Sequence, residues 1–96
     1  MPSDPTVTDN PGESRYEIHV DGQRAGLARY RAGDAGVLIF DHTEVDDAYE
    51  GQGLGGVLAR GALDDVRARG LKVVAECPFI RRWIKEHDDY QDLLAS

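Results

Sequence analysis

The stretch Glu50-Gly51-Gln52-Gly53-Leu54-Gly55-Gly56 decides how this chain of 96 residues is read. Four of its seven residues are glycine, and a helical pattern follows at once. Leu54, Leu58, Ala62 and Val66 recur every fourth residue, Val57 and Leu63 widen the stripe, and Gly70 stands where a helix stops. The first N–H groups of a helix have no intrahelical acceptor, and the macrodipole makes that end positive. With no side chains in the way an anion can approach closely, so Gly51, Gln52, Gly53, Leu54, Gly55 and Gly56 read as a phosphate cradle. A turn that only lets a helix pack on a sheet needs one glycine, not four.

Strands flank this loop. Tyr16, Ile18 and Val20 alternate with Glu17, His19 and Asp21, which predicts a half-buried strand ending at the turn Asp21-Gly22. Gln23 to Ala32 is its hairpin partner. Gly33-Asp34 leads into a third strand, Gly36 to Val45, whose run Val37-Leu38-Ile39-Phe40 is apolar on both faces and therefore central. Beyond the helix, Leu71 to Glu76 forms another strand, broken by Cys77-Pro78. Ile80, Trp83 and Ile84 give helical spacing between Phe79 and His87, and Asp89 to Ala95 makes a short last helix. Strand, loop, helix, strand is a βαβ unit, with a right-handed crossover and parallel strands. Both strands then aim their C-terminal ends at one edge, where α/β sheets bind ligands. His42 and Cys77 fall at that edge and are expected close together beside the loop.

The composition narrows the class. At 41% hydrophobic and 30% charged, the chain reads as one soluble α/β domain with a single core. No run approaches the ~20 apolar residues of a membrane span. Residues 1–14 hold three prolines and no apolar signal segment, and read as a disordered lead-in to a domain at 15–96. A single cysteine rules out an internal disulfide and fits a reducing cytoplasm. The net charge of −7 argues against a nucleic-acid partner. Three histidines and one cysteine show no ligand spacing, so no metal is expected.

Gly51-x-Gly53-x-x-Gly56 literally matches a dinucleotide fingerprint, with Glu76 about 20 residues on where the ribose needs an acid. In that fold the first glycine follows its strand almost at once, whereas here His42 to Glu50 intervene. A dinucleotide-binding protein is therefore the runner-up. The segment Val45 to Gly55 resembles the acyl-CoA loop of GNAT-type N-acetyltransferases, with the pattern Gln/Arg-x-x-Gly-x-Gly/Ala. Gly53 and Gly55 fall on its small positions, and Glu50 stands where Gln or Arg is usual. His42-Thr43-Glu44-Val45, Gly70-Leu71-Lys72-Val73, Cys77-Pro78-Phe79, His87 and Tyr90 extend the likeness to the very small, stand-alone members of that family. It covers roughly Tyr16 to Leu94.

That resemblance implies a reduced GNAT-like fold: antiparallel N-terminal strands leading into the βαβ unit, then a C-terminal helix pair. It implies acetyl-CoA as co-substrate and an amine acceptor, either a small molecule or an exposed protein amine. Backbone near Val45 would pair with pantetheine, and Gly51 to Gly56 would hold the pyrophosphate. A CoA-binding module without catalysis is the alternative, kept open by the carboxylate of Glu50. Cys77 can protonate a leaving thiolate or accept the acetyl group, or be a small buried hydrophobe. His42 can act as a base, or be a hydrogen-bonded structural histidine. Glu44 reads as solvent-facing, and Trp83 and Tyr90 as core. Arg81, Arg82 and Lys85 form a basic face that is either solvated or meets the CoA 3′-phosphate.

Overall fold

Alternating apolar residues build one sheet of five strands in the computed structural model, which describes residues 4–95. The strands are β1 (Thr6–Asn10), β2 (Arg15–Val20), β3 (Gln23–Ala32), β4 (Val37–Val45) and β5 (Lys72–Ala75), and they lie in that order. The first four pair antiparallel, and β5 joins β4 in parallel. The crossover between them is α1 (Leu54–Ala68), and α2 (Pro78–Lys85) follows β5. The predicted strands, loop and helices thus occupy their expected places.

The lead-in is a correction. From Thr6 onward it is a strand paired with β2, with Val7 opposite Ile18. Thr6, Val7 and Thr8 are β-branched, and the prolines at 5 and 11 flank the strand instead of interrupting it. Residues 1–3 of the same expectation lie outside the described residues. The last segment also differs, being a 3₁₀ helix over Asp88–Leu93. Asp88 and Asp89 are poor helix formers, and six residues are too few for α-helical cooperativity. The chain after it reaches back, as Ala95 N donates to Val73 O at 2.9 Å, so the C-terminal end lies on the outer edge of β5.

Both helices pack on one sheet face. Tyr16, Ile18, Ala28 and Phe40 meet Leu58, Leu63 and Val66 of α1 and Ile80 and Ile84 of α2 in one core. Ala59 joins the α1 stripe, while Val57, expected to widen it, is 41% exposed. The small residues let α1 sit close to the sheet: a Cβ on Gly61 would lie 2.7 Å from Val7 Cβ. Tyr16 Oη donates to Asp65 at 2.6 Å and Tyr30 Oη to Asp9 at 2.6 Å, tying β1, β2 and β3 to the end of α1. Burial and the Asp65 carboxylate push the Tyr16 phenol well above its ordinary value, so it stays a donor.

The other face carries charge. Glu17 accepts from Arg15 at 2.6 Å and Asn10 at 3.1 Å, and Asp41 holds both Arg29 and Arg31. Arg31 continues to Glu76 at 3.0 Å.

Candidate active site

Phe40 marks where β4 and β5 part. Its carbonyl accepts from both Glu76 N and Cys77 N at 2.9 Å, and register pairing ends at Phe40 opposite Ala75. β4 continues to Val45 with no strand beside it on that side among the described residues. At the same point β4 carries an extra residue. Arg29 pairs with His42 and Tyr30 with Phe40, so Asp41 is a bulge. Bulges bend a strand and sharpen its twist; β5 ends here and the chain turns into α2 at Pro78, so a gap lies beside the rest of β4.

The gap leads to the glycine loop. Asp46 N donates to Ala25 O at 2.8 Å, a 3₁₀ turn spans Asp47–Tyr49, and α1 begins at Leu54. The first intrahelical bond is Val57 N to Gly53 O, which leaves the N–H groups of Leu54, Gly55 and Gly56 without helical acceptors. Gly51 has φ +81° and Gly53 φ +74°, with nothing within 4 Å of a Cβ on either. Their left-handed backbone and the open space beside it make a surface hollow of about 300 Å³. Val45, Gly51, Gly53, Leu54, Gly55 and Gly56 line it, with Tyr49, Glu50 and Phe79. Gln52 is exposed and lies outside that lining. The hollow fits a pyrophosphate: bare amides, a helix N-terminus and room that any Cβ would reduce. The connection from β4 to α1 is too long for a dinucleotide fingerprint, whose glycines follow the strand directly, so that reading fails.

Cys77 occupies the N-cap position of α2 without a capping bond from its side chain, and the residue is 3% exposed. It donates to Thr43 Oγ1 at 3.3 Å on the helix-covered face. His42 stands at the same edge but on the other face, 48% exposed, with Nε2 3.0 Å from Glu44 Oε2. The expected proximity of His42 and Cys77 is thereby corrected. In a regular strand His42 would share the inward face of Phe40; the bulge at Asp41 sends it outward and puts Thr43 inward instead. A carboxylate only accepts, so Nε2 keeps its proton and donates to Glu44, and in the neutral ring Nδ1 carries the free lone pair. The same contact holds the Glu44 carboxyl below its usual range. Arg29, and then Arg31, do so for Asp41.

Thr43 and Phe79 are the additions that sequence reasoning missed. Thr43 lies two residues before Val45, on its face, and that spacing was the available signal. Phe79 follows Pro78 and packs on Gly55, where a Cβ would come within 2.8 Å of its ring. Trp83 and Tyr90 are buried, as expected, and His87 stacks on Trp83 at 3.8 Å. No helix among the described residues is long and apolar enough to cross a membrane.

Residues 15–93 match the family model of the GCN5-related N-acetyl-transferases. Protein NATD1 of Mus musculus is 30% identical over 93 residues, which covers 86% of this chain and 84% of that protein. Protein NATD1 of Gallus gallus is 41% identical over 51 residues, and there the match spans 46% of the relative's length. A GCN5-like protein of Staphylococcus aureus, solved by NMR, superimposes with a TM-score of 0.72 at 27% identity, over 95% of this chain and 88% of that one. Ard1 of Thermoplasma volcanium shares the fold at 20% identity and a TM-score of 0.62, over 79% of this chain and 55% of its own.

Proposed function

The chain belongs to the GCN5-related N-acetyltransferase family, and from that premise we propose that it moves the acetyl group of acetyl-CoA to a primary amine. The observation that carries this reading is the gap beyond Phe40, which runs into a bare-backbone hollow at a helix N-terminus. The amides of Leu54 to Gly56 would hold the pyrophosphate, and the unpaired edge of Asp41 to Val45 would align the pantetheine arm. The thioester supplies an activated acetyl group there.

The residues on either side of β4 divide the proton chemistry. Helices fill the inner face, so the acceptor comes over the outer one, where His42 stands. Nδ1 of His42 takes the proton that the amine loses as its nitrogen bonds to the carbonyl carbon. Glu44 fixes the tautomer and stabilises the imidazolium that forms. As the carbon–sulfur bond breaks, the Cys77 thiol gives a proton to the leaving sulfur and regains one from solvent. The amine attacks directly, with no acetyl group parked on Cys77.

Thiol release from acetyl-CoA, followed with a panel of small amines and amine-bearing peptides, tests this. Amine-dependent release, with His42→Gln lowering kcat and leaving the calorimetric Kd for acetyl-CoA unchanged, is the expected result. Release that ignores the amine, or a His42→Gln enzyme with full kcat, contradicts the assignment.

A further inference from the structure

The proton that Cys77 gives in the reading above already has an acceptor. The S–H bond points at Thr43 Oγ1, 3.3 Å away, and Cys77 is almost wholly buried. Thr43 is half-buried and stands on β4 past the point where pairing with β5 ends, with Ala28 opposite it on the β3 side. Val45, two residues on and on the same face, lines the glycine-loop hollow. Of the two polar groups, the hydroxyl is therefore the one with access to the gap.

The start of α2 adds a second observation. An N-cap side chain ordinarily accepts from the first turn of its helix, but the Cys77 sulfur makes no such bond and is turned to β4 instead. The first backbone bond of α2 runs from Arg81 N to Cys77 O, so the N–H groups of Phe79 and Ile80 have no helical acceptor. The positive end of the helix thus sits at the sulfur and steadies a negative charge formed there. A hydroxyl both accepts and donates. Thr43 Oγ1 makes no other hydrogen bond among the described residues, so its own proton is free to turn to the gap.

We propose that Thr43 is the proton relay between Cys77 and the leaving sulfur. As the carbon–sulfur bond breaks, the Thr43 hydroxyl gives its proton to the departing sulfur and takes the Cys77 proton in the same movement. The hydroxyl ends as it began, and Cys77 ends as a thiolate at the start of α2. Water restores the proton by the same route, entering at Oγ1 as the hydroxyl proton returns to Sγ. The proposal rests on the acetyl-transfer reading above and supplies the path that the Cys77 proton travels.

Thr43→Val keeps the β-branched shape and removes the hydroxyl, while Thr43→Ser keeps the hydroxyl. The chain has one cysteine, so the infrared S–H stretching band of the free protein belongs to Cys77 alone. That band should move to higher frequency in Thr43→Val, where the S–H···O contact is lost, and stay in place in Thr43→Ser. In thiol-release assays with acetyl-CoA and an amine, Thr43→Val should lower kcat about a hundredfold with the calorimetric Kd for acetyl-CoA unchanged, and Thr43→Ser should recover most of the rate. Adding Thr43→Val to Cys77→Ala should cost nothing further, because both cut one path. An unmoved S–H band, full kcat in Thr43→Val or in Cys77→Ala, a serine variant as slow as the valine one, or losses that add in the double variant would overturn the relay and leave acetyl transfer standing. A wild type that shows no amine-dependent thiol release overturns both.

Discussion

Gly61→Ala sets two known effects against each other. An alanine inside a helix is favoured over glycine by about 1 kcal/mol. The new methyl, however, would lie 2.7 Å from Val7 Cβ, 2.8 Å from Cγ2 and 3.0 Å from Cγ1. The nearest of these atoms is fixed to the backbone of β1, so no rotamer change relieves the clash and the strand itself must move. Overpacking of this kind costs about 1–3 kcal/mol, which leaves a net loss of up to about 2 kcal/mol. For a domain of this size each kcal/mol is about 4–8 °C in Tm. Urea unfolding of wild type, Gly61→Ala, Val7→Gly and the double variant separates the terms. Val7→Gly removes all three clashing atoms, so the pair should be more stable than the sum of the single changes by about 1 kcal/mol or more. A Gly61→Ala protein more stable than wild type by the full helix-propensity gain would refute the docking of β1 on α1.

Other substitutions probe the site and the charged face. The Arg15 hydrogen bond holds the Glu17 carboxyl below its usual range, so its contribution is full above the ordinary value of ~4.3 and is lost as pH falls through the lower folded value. Glu17→Gln should therefore cost about 1–2 kcal/mol at pH 7, with a gap from wild type that closes on acidification in parallel urea titrations; a pH-independent gap contradicts the linkage. Cys77→Ala should lower turnover strongly with little change in Tm or in the Kd for acetyl-CoA, and intact-mass spectra of the wild type mixed with acetyl-CoA alone should show no acetyl increment. Unchanged turnover would return Cys77 to packing, and an increment that passes to an added amine would make it a nucleophile. Glu50→Arg places a cation on the rim of the hollow and should tighten acetyl-CoA binding about five- to tenfold by calorimetry; weaker binding would take Glu50 off the phosphate path.

The glycine loop, α1 and four of the five strands were legible because each rests on local information: alternation, four-residue spacing, and glycine at turns. Gly70 is an example, ending α1 with φ +71° where the pattern stops. β1 was hidden because prolines and small polar residues mimic a lead-in, and what orders it is distant: Gly61 under Val7, and Tyr30 and Arg69 on Asp9. The faces of β4 were illegible for a different reason. Side-chain direction in a strand follows from counting in twos, and one unannounced bulge inverts every count beyond it. His42 was expected beside Cys77 because both fall at the same sheet edge, and the bulge places it across the strand instead. Thr43 gained the thiol contact by the same inversion.

That bulge also means that β4 spends nine residues to do the pairing of eight. Asp41 is surplus to the ladder, and removing it would leave Phe40 and Thr43 inward and His42 and Glu44 outward, each as before. What would vanish is the bend at the place where β5 ends, together with the carboxylate that anchors Arg29 and Arg31. An in-frame deletion of one codon should thus yield a chain that still assembles the sheet and still orders the glycine loop, yet has its gap zipped shut. Backbone amide exchange would report the closure as new protection at His42 to Val45. On the acetyl-CoA reading proposed above, the capacity to admit a thioester arm is encoded separately from the capacity to fold, and the two part at a single triplet.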